Sequence, residues 1–431
     1  MPKGQSHLNN KPRELQLKLY HAAKYCRNRR FHALYDRVCR PDILQRAFEE
    51  VKANRGAPGI DGQSISDVET VGVSNTLKNL RDELLSLKYR PKPVRRVYIA
   101  KADGSKRPLG IPTVRDRILQ QACRIILEPI FEANFLNCSF GFRPKRGATD
   151  AVKEVKEKLA RHSFVVDADI RKFFDNLDHE LLLKLCAKRI SDKRILKLLR
   201  QWLKAGVREK GKLKRSTKGT PQGGVISPLL ANIYLHVFDM IWKRDYAHMG
   251  ILIRYADDFV IVCKTRKDAE NARLAACEIL GKLKLELHPD KTRVVSMFDD
   301  SGFDFLGFRF TKITNRHTGK FSPMIKPSSK SVQRCREKIS EHLSLKYQML
   351  SLQEVVKRLN TFIRGWATYF ARGCASRALQ DLDRYRDWRL MRYFYRKVGP
   401  MKRKVAEYFG QWRRYCGVIN FYNKGICGQP L

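Results

Sequence analysis

The chain has 431 residues, 43% of them apolar, which is enough for two or three domains with real cores and too much for a disordered chain. It carries 87 Lys and Arg against 43 Asp and Glu, a net charge of +44 that opposes compaction unless a polyanion offsets it. Nucleic acid is the first candidate for that polyanion, and an anionic membrane surface the second.

No apolar run approaches the roughly 20 residues that span a bilayer. Met1-Pro2-Lys3-Gly4-Gln5-Ser6 holds no signal-peptide core. The 11 cysteines form no Cys-x-x-Cys pair, so neither a zinc site nor a disulfide framework is expected. Reduced thiols in a cytoplasmic protein are the plain expectation.

Residues 1–40 hold ten Lys/Arg and two acids, interleaved with Tyr20, Tyr25, Phe31 and Tyr35. This pattern suits a helical extension that contacts RNA, and equally a solvated helix face. Asn54 to Gly62 is dense in turn formers and predicts a loop. A helical period follows through Leu77, Leu80, Leu84 and Leu87, and Pro91-Lys92-Pro93 breaks it. Val94 to Lys101 alternates like a strand, Asp103-Gly104-Ser105 turns, and Lys106 to Pro112 returns. Lys101 and Arg107 near that tip suit a triphosphate grip or simple surface charge.

Ser139-Phe140-Gly141-Phe142-Arg143-Pro144 opens a loop before a helix through Ala151, Val155 and Leu159. Phe164 to Ile170 is an apolar strand on which Asp167 and Asp169 share a face. Gly219-Thr220-Pro221-Gln222-Gly223-Gly224 leads into a helix through Leu229, Ile233, Val237 and Ile241. Glycines there permit close approach of backbone to a ligand, which Gln222 can hydrogen-bond; an ordinary loop with a Ser-Pro helix start is the plainer alternative.

Ile251 to Cys263 consists of two β-branched apolar runs flanking Asp257-Asp258, a buried hairpin with carboxylates at its tip. Adjacent carboxylates in apolar surroundings repel each other and are costly to desolvate, and a divalent cation removes both problems. All-oxygen ligation with few protein groups suits Mg²⁺; an exposed turn is the plainer alternative. Ala269 to Leu283 predicts a helix, Leu287 to Val295 a return to a strand, and Phe303 to Phe310 a short aromatic hairpin. Residues 311–431 hold 26 Lys/Arg against 7 acids, and Leu352, Val355, Val356, Leu359 and Ile363 predict a small helical domain. Trp366, Tyr369 and Phe370 are expected in its core rather than as RNA platforms.

The order of these elements is more specific than any one of them. An acid-ended strand, a Pro-Gln-Gly-Gly loop and a Tyr-Ala-Asp-Asp hairpin resemble the palm of reverse transcriptases. Arg107 to Pro112, Phe140 to Pro144, Asp169-Ile170-Arg171-Lys172-Phe173-Phe174-Asp175, Gly219 to Pro228 and Arg364 to Phe370 narrow the resemblance to group II intron reverse transcriptase/maturases. It spans roughly residues 45–425, and is closest to the compact bacterial type without an endonuclease domain. The resemblance implies an α+β right-hand fold: a basic N-terminal extension over 1–45, fingers and palm over 46–315, and a helical thumb/maturase domain over 316–431.

It further implies an RNA-directed DNA polymerase acting on an RNA template or intron RNA, a DNA primer and dNTPs. Asp169 and Asp257 are implied to hold two Mg²⁺ ions, for which Mn²⁺ can substitute. Asp258 is the second acid of the pair, and the Ile170 carbonyl completes the shell. Lys101 and Arg107 are implied to contact the triphosphate. Phe173, Gln222 and Gly223 line the nucleotide site. Phe174 excludes a ribose 2′-hydroxyl, or is plain core. Lys291 protonates pyrophosphate, and the Phe303–Phe310 hairpin grips the primer. Asp167 is structural. Two other functions share this pattern: a domesticated reverse transcriptase of phage defence or DNA repair, and an RNA-binding splicing factor without synthesis.

Overall fold

The computed structural model describes residues 4–100, 104, 106–209, 212–214, 217–220, 223–298, 302–314, 321–371, 373–398, 410–411, 413–414 and 416–422. Lys101 and Gln222 therefore lie outside the described residues.

The first region is mainly helical: α1 (Gly4–Tyr25), α2 (Tyr35–Val38), α3 (Pro41–Ala53), α4 (Ile65–Val71), α5 (Val73–Leu85) and α6 (Val114–Glu132). Its hairpin, β1 (Val94–Ala100) and β2 (Lys106–Ile111), stands where the alternation predicts it. Local chemistry sets the helix starts. Pro41 opens α3, where its missing N–H costs nothing. Ser64 and Asp67 form a capping box on α4.

The basic N-terminal segment is not a free extension. Leu19 and Ala23 of α1 join the core beside Ile125 of α6, and Gln16 Nε2 donates to the Ile125 carbonyl at 3.1 Å. Phe31 and Tyr35 are 5% and 3% exposed, so both are core; Tyr25 alone of these four aromatics is fully open, at 83%. Burying these apolar rings outweighs displaying them to RNA, because each removes a large apolar area from water.

The central region runs α7 (Ala148–Leu159), β3 (Phe164–Asp169), α8 (Phe173–Asn176), α9 (His179–Ala187), α10 (Lys193–Lys204), β4 (Val207–Glu209), β5 (Lys212–Lys214), α11 (Ser227–Ile241), β6 (Ile251–Tyr255), β7 (Asp258–Cys263), α12 (Arg266–Lys282) and β8 (Arg293–Ser296). Its antiparallel sheet has the order β6-β7-β3-β8. The two-residue period divides this sheet between two cores. Val166 and Ala168 of β3, with Phe259 and Ile261 of β7, face the helices. Val165, Val260 and Val262 face α7 and the aromatic hairpin. Both faces are covered, which is why these strands read as continuous apolar runs. A second sheet, β2-β1-β4-β5, carries the first region's hairpin alongside the centre; β1 and β4 are parallel.

The third sheet joins β9 (Phe303–Phe305), β10 (Phe308–Thr314) and β11 (Phe321–Pro327) in the order β11-β10-β9. The boundary expected after residue 315 falls between β10 and β11, which pair from Phe308↔Pro327 to Thr314↔Phe321. The sheet therefore continues past it. Three helices follow: α13 (Ser329–His342), α14 (Leu352–Phe370) and α15 (Ser376–Val398). They pack through Ile339, Leu359, Ile363, Leu379 and Leu382, all fully buried. Ser351 and Glu354 box the start of α14. Among the described residues no helix is long and apolar enough to cross a membrane.

Candidate active site

Three strand ends meet where the acids lie. β3 and β7 pair in a register that sets Asp169 opposite Asp258. Residues opposite each other in an antiparallel pair have Cα atoms roughly 4.5–5.5 Å apart and side chains on one face. Asp257 precedes Asp258 in the two-residue turn between β6 and β7, beside Ala256, which has φ +57°. Residues 88 positions apart in sequence are thus brought to one point, 169 and 257.

Electrostatics reports the crowding. The Asp258 carboxyl is pushed up to about 7, first by burial, then by the charges of Asp257 and Asp169, with Lys291 pulling it down. Asp258 nevertheless keeps one side open to solvent, so a ligand can reach it. Burial and Asp169 also raise Asp257, while Arg107 and Arg254 lower it. Arg107, on β2, therefore lies near enough to the acid turn for its charge to act on Asp257. Lys291 lies in a short 3₁₀ turn over Pro289–Lys291 and sets its Nζ 2.5 Å from Asp169 Oδ2. Asp167 shares the face of Asp169, as the strand period requires, and pairs with Arg293 at 3.2 Å. Burial pushes its carboxyl up to about 6.

These donors fit a divalent cation. They are hard carboxylate oxygens, mutually repelling, one of them already drawing an ammonium group. Among the described residues no three acidic, His or Cys side chains form a ready-made cage. Hard oxygen donors of this kind suit a divalent cation that takes the rest of its shell from water and substrate.

The walls of the cleft are also built. Ile170 is 2% exposed and bridges to Leu287, while the Asp169 carbonyl accepts from the His288 N–H at 2.8 Å. Phe173 and Phe174 on α8 are 1% and 8% exposed and meet edge-on at 5.2 Å. The Gly-rich loop is stitched to that helix: Thr220 N–H donates to the Phe174 carbonyl and Gly219 N–H to the Leu177 carbonyl, both at 2.7 Å. Gly223 has φ +110°, and a Cβ there would lie 2.7 Å from the Gly110 carbonyl of β2. Only glycine lets the loop approach the hairpin this closely. The structure thus brings Arg107, Phe173, Phe174, Gly223, Asp169, Ile170, Asp257, Asp258 and Lys291 to one region.

The aromatic hairpin turns its rings inward. Phe303, Phe308 and Phe310 are fully buried, and Phe303 stacks on Phe310 at 5.0 Å. Its rings join Phe370 of α14 in the core. Trp366 and Tyr369 are half-buried against the same core, as anticipated.

A buried network under the acid turn was not foreseeable from the strand and helix patterns. Arg254 on β6 and Asp239 on α11 are a fully buried ion pair, Nη2 to Oδ2 at 2.5 Å. Ser139 and Asn232 complete it. Its one sequence signal is a charge inside each of two largely apolar runs, Ile251-Leu252-Ile253-Arg254-Tyr255 and Ile233 to Ile241. Nothing in either run names the other as its partner.

An antiparallel sheet carrying carboxylates at a hairpin, with a helical region after it, defines a nucleic-acid polymerase of the right-hand class. Residues 99–310 match the family model described as reverse transcriptase (RNA-dependent DNA polymerase), and residues 332–409 match the group II intron, maturase-specific domain. Protein YkfC of Escherichia coli is 37% identical, over 70% of this chain and 89% of that protein. The group II intron-encoded protein LtrA of Lactococcus lactis is 43% identical, over 48% of this chain and 35% of that protein. Nuclear intron maturase 4, mitochondrial, of Arabidopsis thaliana is 30% identical over 54% of this chain and 28% of that protein. The chain thus spans nearly all of the first relative and about a third of the other two. The chain belongs to the group II intron reverse transcriptase/maturase family, whose enzymes are RNA-directed DNA polymerases dependent on divalent metal. Its two matched domains imply binding to template RNA and to intron RNA.

Proposed function

We propose that this chain extends a DNA primer on an RNA template with dNTPs and Mg²⁺, and that it binds its intron RNA to assist splicing and mobility, acting in the cytoplasm. The observation that carries the reading is the register of β3 against β7, which sets Asp169 opposite Asp258 with Asp257 beside them.

In this reading Asp169 and Asp257 are the metal-holding side chains, with Asp258 and the Ile170 carbonyl at the edge of the shell. Bound Mg²⁺ supplies acidity to the primer 3′-hydroxyl and charge neutralisation to the triphosphate. The 3′-oxygen bonds to the α-phosphorus as the bond to pyrophosphate breaks. Arg107, with Lys101, orients the triphosphate from the fingers hairpin; its pull on Asp257 supports that reach. Gln222 and Gly223 cover the nucleotide, on a loop whose glycine already touches β2. Phe174 closes the ribose side over Phe173. Lys291 gives its proton to the departing pyrophosphate after leaving Asp169. The turn at Leu306-Gly307, rather than the buried rings beside it, is the part of the aromatic hairpin that meets the primer. We divide the chain into fingers and palm up to Pro327, with α1 part of the fingers, and a thumb/maturase domain beyond.

Primer extension by Asp257→Ala tests the assignment. Synthesis is expected to be abolished while RNA affinity stays near that of the parent. Undiminished synthesis refutes it.

A further inference from the structure

The buried group beneath the acid turn has a job that burial alone does not explain. Arg254 lies two residues before Ala256 and has none of its surface exposed. Its Nε donates to Asp239 Oδ1 at 2.7 Å and its Nη2 to Asp239 Oδ2 at 2.5 Å. Nη2 also donates to Ser139 Oγ at 2.9 Å. Nη1 donates to Asn232 Oδ1 at 3.3 Å and to the Ala256 carbonyl at 2.9 Å. Asn232 in turn donates through Nδ2 to the Gly141 carbonyl at 2.8 Å. Gly141 lies so close beneath the turn that a Cβ there would collide with the Ala256 amide nitrogen.

A buried ion pair is poor evidence of stabilisation, because well-packed apolar groups of the same volume commonly do as well. An apolar group cannot hold a carbonyl. Ala256 sits in the left-handed region, φ +57°, which an L-residue adopts at a steric cost and keeps only where its surroundings impose it. The Ala256 carbonyl and the Asp257 N–H belong to one planar peptide, so fixing the first fixes the base from which the Asp257 side chain departs.

The geometry points to Arg254 as a positioning residue for metal binding. Through the Ala256 carbonyl it sets the direction in which Asp257 presents its carboxylate to the divalent ion, and Asp239 and Asn232 hold Arg254 in that pose. The inference rests on the reading of Asp257 as a metal ligand. It makes the loop at 138–141 and helix α11 supports of the metal site, not only of the fold.

Arg254→Lys and Asn232→Ala in the full chain test it. Lysine keeps the charge opposite Asp239 but loses the planar fork; alanine withdraws one support of the fork without uncovering a charge. Two readouts are needed: the Mg²⁺ dependence of primer extension at saturating dNTP, and Mn²⁺ binding to the free protein by electron paramagnetic resonance. The half-saturating Mg²⁺ concentration is expected to rise roughly tenfold or more in Arg254→Lys and less in Asn232→Ala. Mn²⁺ binding should weaken in parallel, with RNA affinity and the dNTP KM within about twofold of the parent, the scatter expected where no contact to either ligand is lost. Wild-type Mg²⁺ dependence and Mn²⁺ binding in both variants overturn the proposal, whether or not activity falls. If Arg254→Lys fails to fold, Asn232→Ala decides by the same criteria. Asp257→Ala is the control. Should it keep Mn²⁺ binding and synthesis, the metal assignment itself fails, and the role of Arg254 with it.

Discussion

Phe174 is the residue where packing and selectivity meet. It is 8% exposed, its ring rests on Phe173, and its carbonyl anchors the Gly-rich loop. A ring this buried has little freedom to yield to an extra hydroxyl on the sugar. Phe174→Ala is expected to raise the ratio of ribonucleotide to deoxyribonucleotide incorporation, measured in single-nucleotide extension. It is also expected to lower stability by about 3 kcal/mol, as large-to-small core changes do, so the assay belongs well below the melting point. An unchanged ratio denies the gate. Asp258 gives a pH signature. Its carboxyl is raised from 3.8 to about 7 in the folded protein. Between those pH values the metal-free fold binds more protons than the unfolded chain, so this group's contribution to stability is full at low pH and is lost as pH rises through about 7. Asp258→Asn removes that dependence. The melting temperature of the variant relative to the parent should therefore climb across the window in chelator, and climb less in saturating Mg²⁺. A difference that stays flat with pH contradicts the assignment of the shift to Asp258.

Elements were legible in the sequence wherever one physical rule dominated. The hairpin over β6 and β7 is the clearest case: apolar runs of strand length with two acids between them leave little choice of turn. β3, the helix after the Gly-rich loop and α14 followed from period and breakers alike. What stayed hidden depended on distant partners. Arg254 and Asp239 each look like an error in an apolar run until the fold sets them against each other. Phe31 looked like part of a basic surface because its burial comes from a strand-like bridge to Ile190, far along the chain. The break expected at residue 315 followed a real change in composition, yet hydrogen bonding between β10 and β11 carries the sheet across it. Site membership of Asp169 and Asp257 came from resemblance in motif order. Their meeting is a property of sheet register, which the sequence of either strand alone does not state.

Across the whole molecule, charge governs behaviour in solution. At +44 the protein repels itself, and ion pairs such as Arg194–Asp36 or Arg200–Glu180 lie exposed and offset little of it. RNA supplies the counter-charge, and its binding releases condensed cations. Affinity for RNA is therefore expected to fall steeply with salt, by roughly a thousandfold or more between about 50 and 200 mM for a protein neutralising six or more phosphates. Filter binding across that range checks it, and an affinity that barely moves contradicts the electrostatic account. The central claim is narrower: carboxylates from two strands share metal at one point. Crystals of the full chain with template, primer and a non-hydrolysable dNTP, grown in Mn²⁺ and measured at the manganese absorption edge, test it most directly. The account requires anomalous peaks touching both Asp169 and Asp257, with Lys291 drawn away from Asp169. Peaks elsewhere, or a Lys291–Asp169 pair still closed over an ion-free cleft, would contradict it.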